Sequence, residues 1–191
     1  YVRPEAAVRA HLELARRHKA QLQLGEHVVG WTASNRGVSV STGTGTYEAQ
    51  QLVLCAGAWI SQLFPAGQDI FAVYRQLLYW FPIREGFEQL RDSPVFVWEF
   101  EGRKEDFTHF VGCYGFPAVD GPAGGVKVAT ESYDQTTTPE GRQHPATVAE
   151  AEAMYERHIA PHLPWPGPEP LRTVSCLYTN TRHSRFVIGR H

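Results

Sequence analysis

The sequence predicts an α+β fold, a mixed and largely antiparallel sheet flanked by helices, on three observations. Residues 4–19 and 146–158 carry helical patterning. Runs rich in aromatic and β-branched residues at 70–83, 95–100, 107–116, 125–131 and 171–181 have the composition of long strands. Ahead of them, short alternating segments broken by Gly43-Thr44-Gly45-Thr46 read as a small meander.

Taken in order, Pro4 and Glu5 suit a first helical turn, and Val8, Leu12 and Ala15 follow at i, i+4 and i+7, so the first helix is expected over 4–19. Strands are expected at 21–24, 28–31 and 37–41. Gly43-Thr44-Gly45 begins like a dinucleotide fingerprint, but Glu48 stands where a third glycine belongs and strands flank it, so it reads as a hairpin turn. The apolar run 52–57 predicts a strand buried on both faces that passes through Gly57 into a short helix at 58–64. A strand, a glycine and a helix start form a place where a dinucleotide can approach backbone amides. After a turn at 65–69 come the long strands, a polar loop at 132–145, the helix at 146–158 ended by Pro161, a Pro-rich crossing at 161–170, the strand 171–181 and a last strand at 185–189. No internal repeat is visible.

A chain of 191 residues suffices for one ordinary domain or parts of two. With 42% hydrophobic and 20% charged residues its composition is that of a globular protein, not a disordered one. A formal charge of −2, with dispersed Lys and Arg, argues against nucleic acid or an anionic membrane as partner. Cys55, Cys113 and Cys176 are distant and odd in number, so neither a disulfide framework nor a metal site is expected, and a reducing cytoplasm fits best. His158 and His162 have helical spacing for a metal, but Pro161 intervenes and a third ligand is lacking. No apolar run approaches the roughly 18 residues of a membrane helix. The chain starts at Tyr1 and enters a helix at once, which suggests a piece of something longer.

Chemistry concentrates in the second half. In Ser175-Cys176-Leu177-Tyr178-Thr179-Asn180-Thr181 a cysteine at strand-like spacing from a tyrosine and threonines can present a thiolate at one fixed place. The bland reading is a small buried hydrophobe. Tyr178, two residues on, points to the same face. Lys127 lies between Val126 and Val128, a costly position for an ammonium unless it is paired, faces a wet cavity, or reaches solvent from an edge strand. Tyr114 opens a Tyr114-Gly115-Phe116-Pro117 turn, where it serves a site or anchors the turn.

These motifs, in this order, resemble the monomeric sarcosine oxidase and N-methyltryptophan oxidase family, FAD-dependent amine oxidases of the D-amino-acid oxidase superfamily. The resemblance implies that Cys176 becomes joined to the 8α-methyl group of FAD and that Lys127 faces the flavin where oxygen reacts. By the same likeness Tyr114 and Tyr178 shape the substrate face, and Ala56-Gly57-Ala58-Trp59 closes over the FAD pyrophosphate region. Tyr74-Arg75-Gln76 is similar to a family segment with a structural role. Glu131 departs from the histidine that sarcosine oxidases carry four residues after the lysine; it is expected either to recognise a cationic group on a larger amine or to pair with Lys127. Arg182 and His183 also depart from the family's usual Pro-Asp.

The resemblance further implies that residues 1–66 form part of a split Rossmann-like FAD domain, 67–181 the substrate domain, and 182–191 a return into the FAD domain. The intact protein would oxidise the C–N bond of a secondary amine or N-methyl amino acid and reduce O2 to hydrogen peroxide. The fragment alone is expected neither to retain FAD nor to be active. Two other readings stay open: an FAD-dependent dehydrogenase or D-amino-acid or glycine oxidase relative, and a cofactor-free binding or assembly module that kept the fold.

Overall fold

The computed structural model describes residues 2–86, 92–100, 112–133, 135–181 and 185–188, without the side chains of 142 and 143. The expected strand at 107–116 is therefore described from Gly112 onward, and Arg182, His183 and the end of the 185–189 strand lie outside the described residues. The chain divides into two compact units, 1–55 and 56–191.

In the first unit Pro4 opens helix α1 (Pro4–Arg17), which stops short of the expected residue 19 because Lys19 turns to a left-handed φ of 63°. Strands β1 (Val28–Ser34) and β2 (Gly37–Thr42), both expected, form an antiparallel meander with β3 (Thr46–Ala49), which the sequence reading did not name. Its hairpin turn is tied by Glu26, whose carboxylate accepts hydrogen bonds from the hydroxyls of Thr42, Thr44 and Tyr47. Those three donors hold the carboxyl below its usual range, Thr42 most of all.

Two of the strands expected ahead of the long ones do not form. Residues 21–24 are irregular. So is the apolar run at 52–56, where Val53 is 81% exposed rather than buried on both faces. A doubly buried strand needs ladder neighbours for its amides and helices over its faces, and among the described residues no strand pairs with this one.

The second unit opens with a 3-10 turn, Gly57–Trp59, and the short helix α2 (Ile60–Leu63). Its body is a five-stranded antiparallel sheet in the order β5-β6-β7-β4-β8. The strands are β4 (Phe71–Phe81), β5 (Phe96–Glu99), β6 (Gly112–Phe116), β7 (Val126–Ala129) and β8 (Arg172–Thr181). β4, with 11 residues, is the spine and pairs with β7 on one side and β8 on the other. Gly125 turns the chain into β7 with φ 72°, and a Cβ there would stand 2.6 Å from the Phe81 carbonyl oxygen, so only glycine fits.

One face of this sheet makes the core. Tyr79 and Phe81 from β4, Val126 and Val128 from β7 and Cys113 from β6 are buried with Ala151, Met154, Ile159 and Leu163. The last four belong to helix α3 (Val148–Met154), to the wider π turn Tyr155–Ile159 that continues it, and to the chain just beyond. Thr147 caps α3 in a reciprocal box with Glu150. Arg75 then locks helix to sheet: Nη1 lies 2.7 Å from Glu150 Oε1, and Nη2 donates to the carbonyls of His144 and Pro145. Past β8 the described residues 185–188 are irregular, with Phe186 fully exposed, so the expected last strand is not formed there.

Candidate active site

Side chains alternate across a strand, and residues directly opposite in an antiparallel ladder share a face, so the register sorts the candidates. Trp80 stands opposite Lys127 on one side and Arg172 on the other, and Lys127 is opposite Phe116. Leu78 pairs with Ala129, which pairs with Tyr114. Gln76 is opposite Cys176, and Tyr74 opposite Tyr178. Lys127, Tyr114, Cys176 and Tyr178 therefore share one face of one sheet, the face turned away from α3.

The chemistry is graded along that face. At one end the Lys127 ammonium lies over the rings of Trp80 and Phe116, 5.4 and 4.9 Å from their centroids, and the Arg172 guanidinium stacks on Trp80 at 3.9 Å. Lys127 sits on β7, an interior strand, so it is no edge lysine reaching to solvent. Four residues along β4, about 13 Å away, is the row of Cys176. Tyr74 and Tyr178 form the next row beyond it, and Tyr114 stands in the Leu78 row on the nearer side. Tyr114 and Tyr178 meet hydroxyl to hydroxyl at 3.4 Å, Tyr74 and Tyr133 pack edge to face at 5.3 Å, and the Tyr133 hydroxyl donates to Glu131 at 3.1 Å.

The two sheet thiols have opposite surroundings. Cys113 is fully buried on the core face, and desolvation pushes its thiol up to about 11. Cys176 is half-buried on the other face. Burial first and the Tyr178 hydrogen bond second raise the Tyr114 phenol above its ordinary range, with Cys176 and Glu131 contributing. Cys176, Tyr114, Tyr178 and Glu131 thus form one electrostatic neighbourhood. Burial, then the Glu131 charge and hydrogen bond, likewise raise the Tyr133 phenol.

The Gly57–Trp59 turn runs beside β8, the strand of Cys176. Gly57 takes φ 51°, and no atom lies within 4 Å of where its Cβ would be, which leaves backbone amides approachable. Ala56 is half-buried, Ala58 buried, and Trp59 is 41% exposed, so it is no core anchor. A half-buried thiol, a positive-φ glycine with open space and a cation on the same unit are of a chemistry that suits a flavin dinucleotide. His158 and His162 stack on Phe100, and among the described residues no group of three metal-ligating side chains is found.

Sequence reasoning passed over Tyr133 as a site residue, gave Tyr74 only a structural role, and passed over Trp80 and Arg172. The two-residue spacing from Glu131 to Tyr133 was a usable signal. The others join the site through ladder register alone.

The family model for FAD dependent oxidoreductases matches residues 1–191. The chain belongs to that family. It is 40% identical over its whole length to a monomeric sarcosine oxidase from Streptomyces avermitilis, of which it covers 48%, and 29% identical over 98% of the chain to one from a Bacillus species, of which it covers 47%. It spans about half the length of these relatives. Two solved structures share the fold at a TM-score of 0.64: NikD, an unusual amino acid oxidase essential for nikkomycin biosynthesis, at 24% identity over 88% of this chain and 42% of that one, and an Amadoriase I variant from Aspergillus fumigatus, at 17% identity over 94% and 42%. Family membership accords with the resemblance the motifs carry. No helix among the described residues is long and apolar enough to cross a membrane.

Proposed function

We propose that the whole protein is an FAD-dependent oxidase acting on the C–N bond of a secondary amine or N-methyl amino acid, and that this chain supplies most of its substrate domain. One observation carries the reading: Cys176, Lys127, Tyr114 and Tyr178 share the sheet face left open by α3. FAD, when bound, accepts a hydride equivalent from the substrate and passes the electrons to O2, leaving an imine and hydrogen peroxide. Cys176 would hold the flavin through a C–S bond to its 8α carbon, in place of the S–H bond and one 8α C–H bond, the two electrons released passing to the flavin ring and on to O2. Gly57, with Ala56 and Trp59 on either side of the turn, offers amides to the pyrophosphate region. Residues 1–66 and 182–191 belong to the FAD domain in this reading.

Lys127 holds a positive charge, steadied by two aromatic faces, where oxygen gains negative charge on reduction. Tyr114 and Tyr178, joined through their hydroxyls, line the substrate side and exclude water from it.

The test is made on the full-length gene product. Flavin absorbance should stay with the polypeptide after denaturation and be lost from the polypeptide in Cys176→Ser. Peroxide should appear with sarcosine or other N-methyl amino acids. Lys127→Met should slow reoxidation by O2 at least about 100-fold while anaerobic reduction by substrate changes far less. A colourless full-length protein, or an oxygen reaction indifferent to Lys127, overturns the respective part of the reading.

A further inference from the structure

Glu131 sits in a built irregularity of the sheet. Ala129 pairs with Leu78, so an uninterrupted ladder would bring Glu131 opposite Gln76 and Tyr133 opposite Tyr74. Pairing instead resumes with Thr136 opposite Tyr74, three residues later (136 − 133). Residues 130–133 leave the regular ladder, as strands do where a bulge re-aims a side chain. The bulge is held, not loose: the buried Gln76 amide donates to the Ser132 carbonyl at 2.5 Å and accepts from the Ser132 amide at 3.0 Å. Glu131 and Tyr133 flank that clamp.

What the bulge presents is a carboxylate among phenol rings. Tyr133 donates to Glu131 Oε2 and packs edge to face on Tyr74, while the hydroxyls of Tyr114 and Tyr178 meet close by. The phenol fills one of about four acceptor positions of the carboxylate. All five residues are half-buried, shielded enough to strengthen charge recognition yet still in reach of a ligand. The Lys127 ammonium is engaged with the rings of Trp80 and Phe116, at the far end of the face. A carboxylate set among phenol side chains is a receptor for an alkylammonium group.

Resting on the amine-oxidase reading above, we propose that Glu131, with Tyr74, Tyr114, Tyr133 and Tyr178, binds a second, non-reacting ammonium of the substrate. The preferred substrates are then diamines or N-methyl amines with a cationic tail, rather than sarcosine itself. Gln76 is a positioning residue for this cup through Ser132.

A matched pair of amines tests it on the full-length holoenzyme. N-methylputrescine and N-methylpentylamine have equal chain length and differ in the terminal ammonium. Peroxide release should favour the dication by about 10- to 100-fold in kcat/KM, the worth of one charged hydrogen-bonded contact, mostly through KM. Glu131→Gln should erase that ratio, and Glu131→Asp should keep part of it. A turnover-free readout accompanies the kinetics: equilibrium dialysis of bis(trimethylammonio)butane against pentyltrimethylammonium, neither of which can be oxidised to an imine. Tighter binding of the dication that vanishes in Glu131→Gln supports the inference even if no amine is turned over, in which case the oxidase reading alone falls. Equal handling of the pair in both assays overturns the inference and leaves the oxidase reading intact.

Discussion

The hydroxyls of Tyr114 and Tyr178 meet 3.4 Å apart although their strands, β6 and β8, are separated by β7 and β4. Three inter-strand spacings make about 14 Å across the sheet, and the register adds an offset of four residues along β4, from the Leu78 row of Tyr114 to the Tyr74 row of Tyr178, so the hydroxyls meet only because the rings lean toward each other. Ala129, the direct partner of Tyr114 on β7, is small enough to let the ring pass.

Removing one hydroxyl should therefore move the other's titration. In Tyr178→Phe the Tyr114 phenol loses its second-largest source of elevation and should ionise at lower pH, while remaining above an ordinary tyrosine because burial is the larger cause. Tyrosine titration by ultraviolet difference spectroscopy or NMR reads this. An unchanged Tyr114 would mean that the two hydroxyls do not bond in solution.

The Gln76 clamp should carry measurable stability. Gln76→Ala leaves the Ser132 amide and carbonyl without their partner, which costs about 1–3 kcal/mol in urea unfolding. Gln76→Glu keeps the acceptor but cannot donate when ionised, so it should fail to restore the loss. Full stability in both variants would show the bulge to be held by something else.

Arg75 joins β4 to the α3 region through Glu150 and two backbone carbonyls. Arg75→Met should cost about 2 kcal/mol, chiefly through the orphaned carbonyls, since the Glu150 carboxylate is 37% exposed and its ion pair is screened. Lysine should not rescue, because one ammonium cannot span the fork. Arg75 also holds the Glu150 carboxyl below its usual value, so this stabilisation is present above the unfolded pKa near 4.5 and is lost as pH falls through the folded one. Thermal melts of wild type and Arg75→Met should converge in acid.

His158 predicts a second acid effect in a different window. Burial, then the charges of Arg157 and His162, lower its pKa from 6.5, so the unfolded chain binds the proton more readily than the folded one. Stability is full above about pH 6.5 and falls as pH drops toward the lowered folded value. His158→Phe, which retains a ring for Phe100 to stack on, should flatten the melting temperature between about pH 7 and pH 5. A slope identical to wild type would rule out His158 as its source.

The long strands were legible because six of the eleven residues of β4 and five of the ten of β8 carry aromatic or β-branched side chains, and such composition fits a pleated, half-buried surface. The 52–56 run shows the limit of that reading: apolar composition marks a strand that needs neighbours, and none pairs with it among the described residues. Lys19 ended α1 early by a backbone conformation no periodicity encodes. The candidate site was legible where one motif carries it, as at Cys176 and Tyr178 two residues apart on one strand.

By itself the sequence determined residue types and local spacing: an isolated cysteine beside a tyrosine, a lysine between valines, a carboxylate four residues on. Spacing within a strand decides which neighbours share a face, and nothing more. Tertiary structure decided the rest, because inter-strand register is a long-range choice. Gln76 opposite Cys176, Trp80 opposite Lys127, and the three residues of slack that carry Glu131 out of the ladder to Tyr133 all depend on how separate segments align.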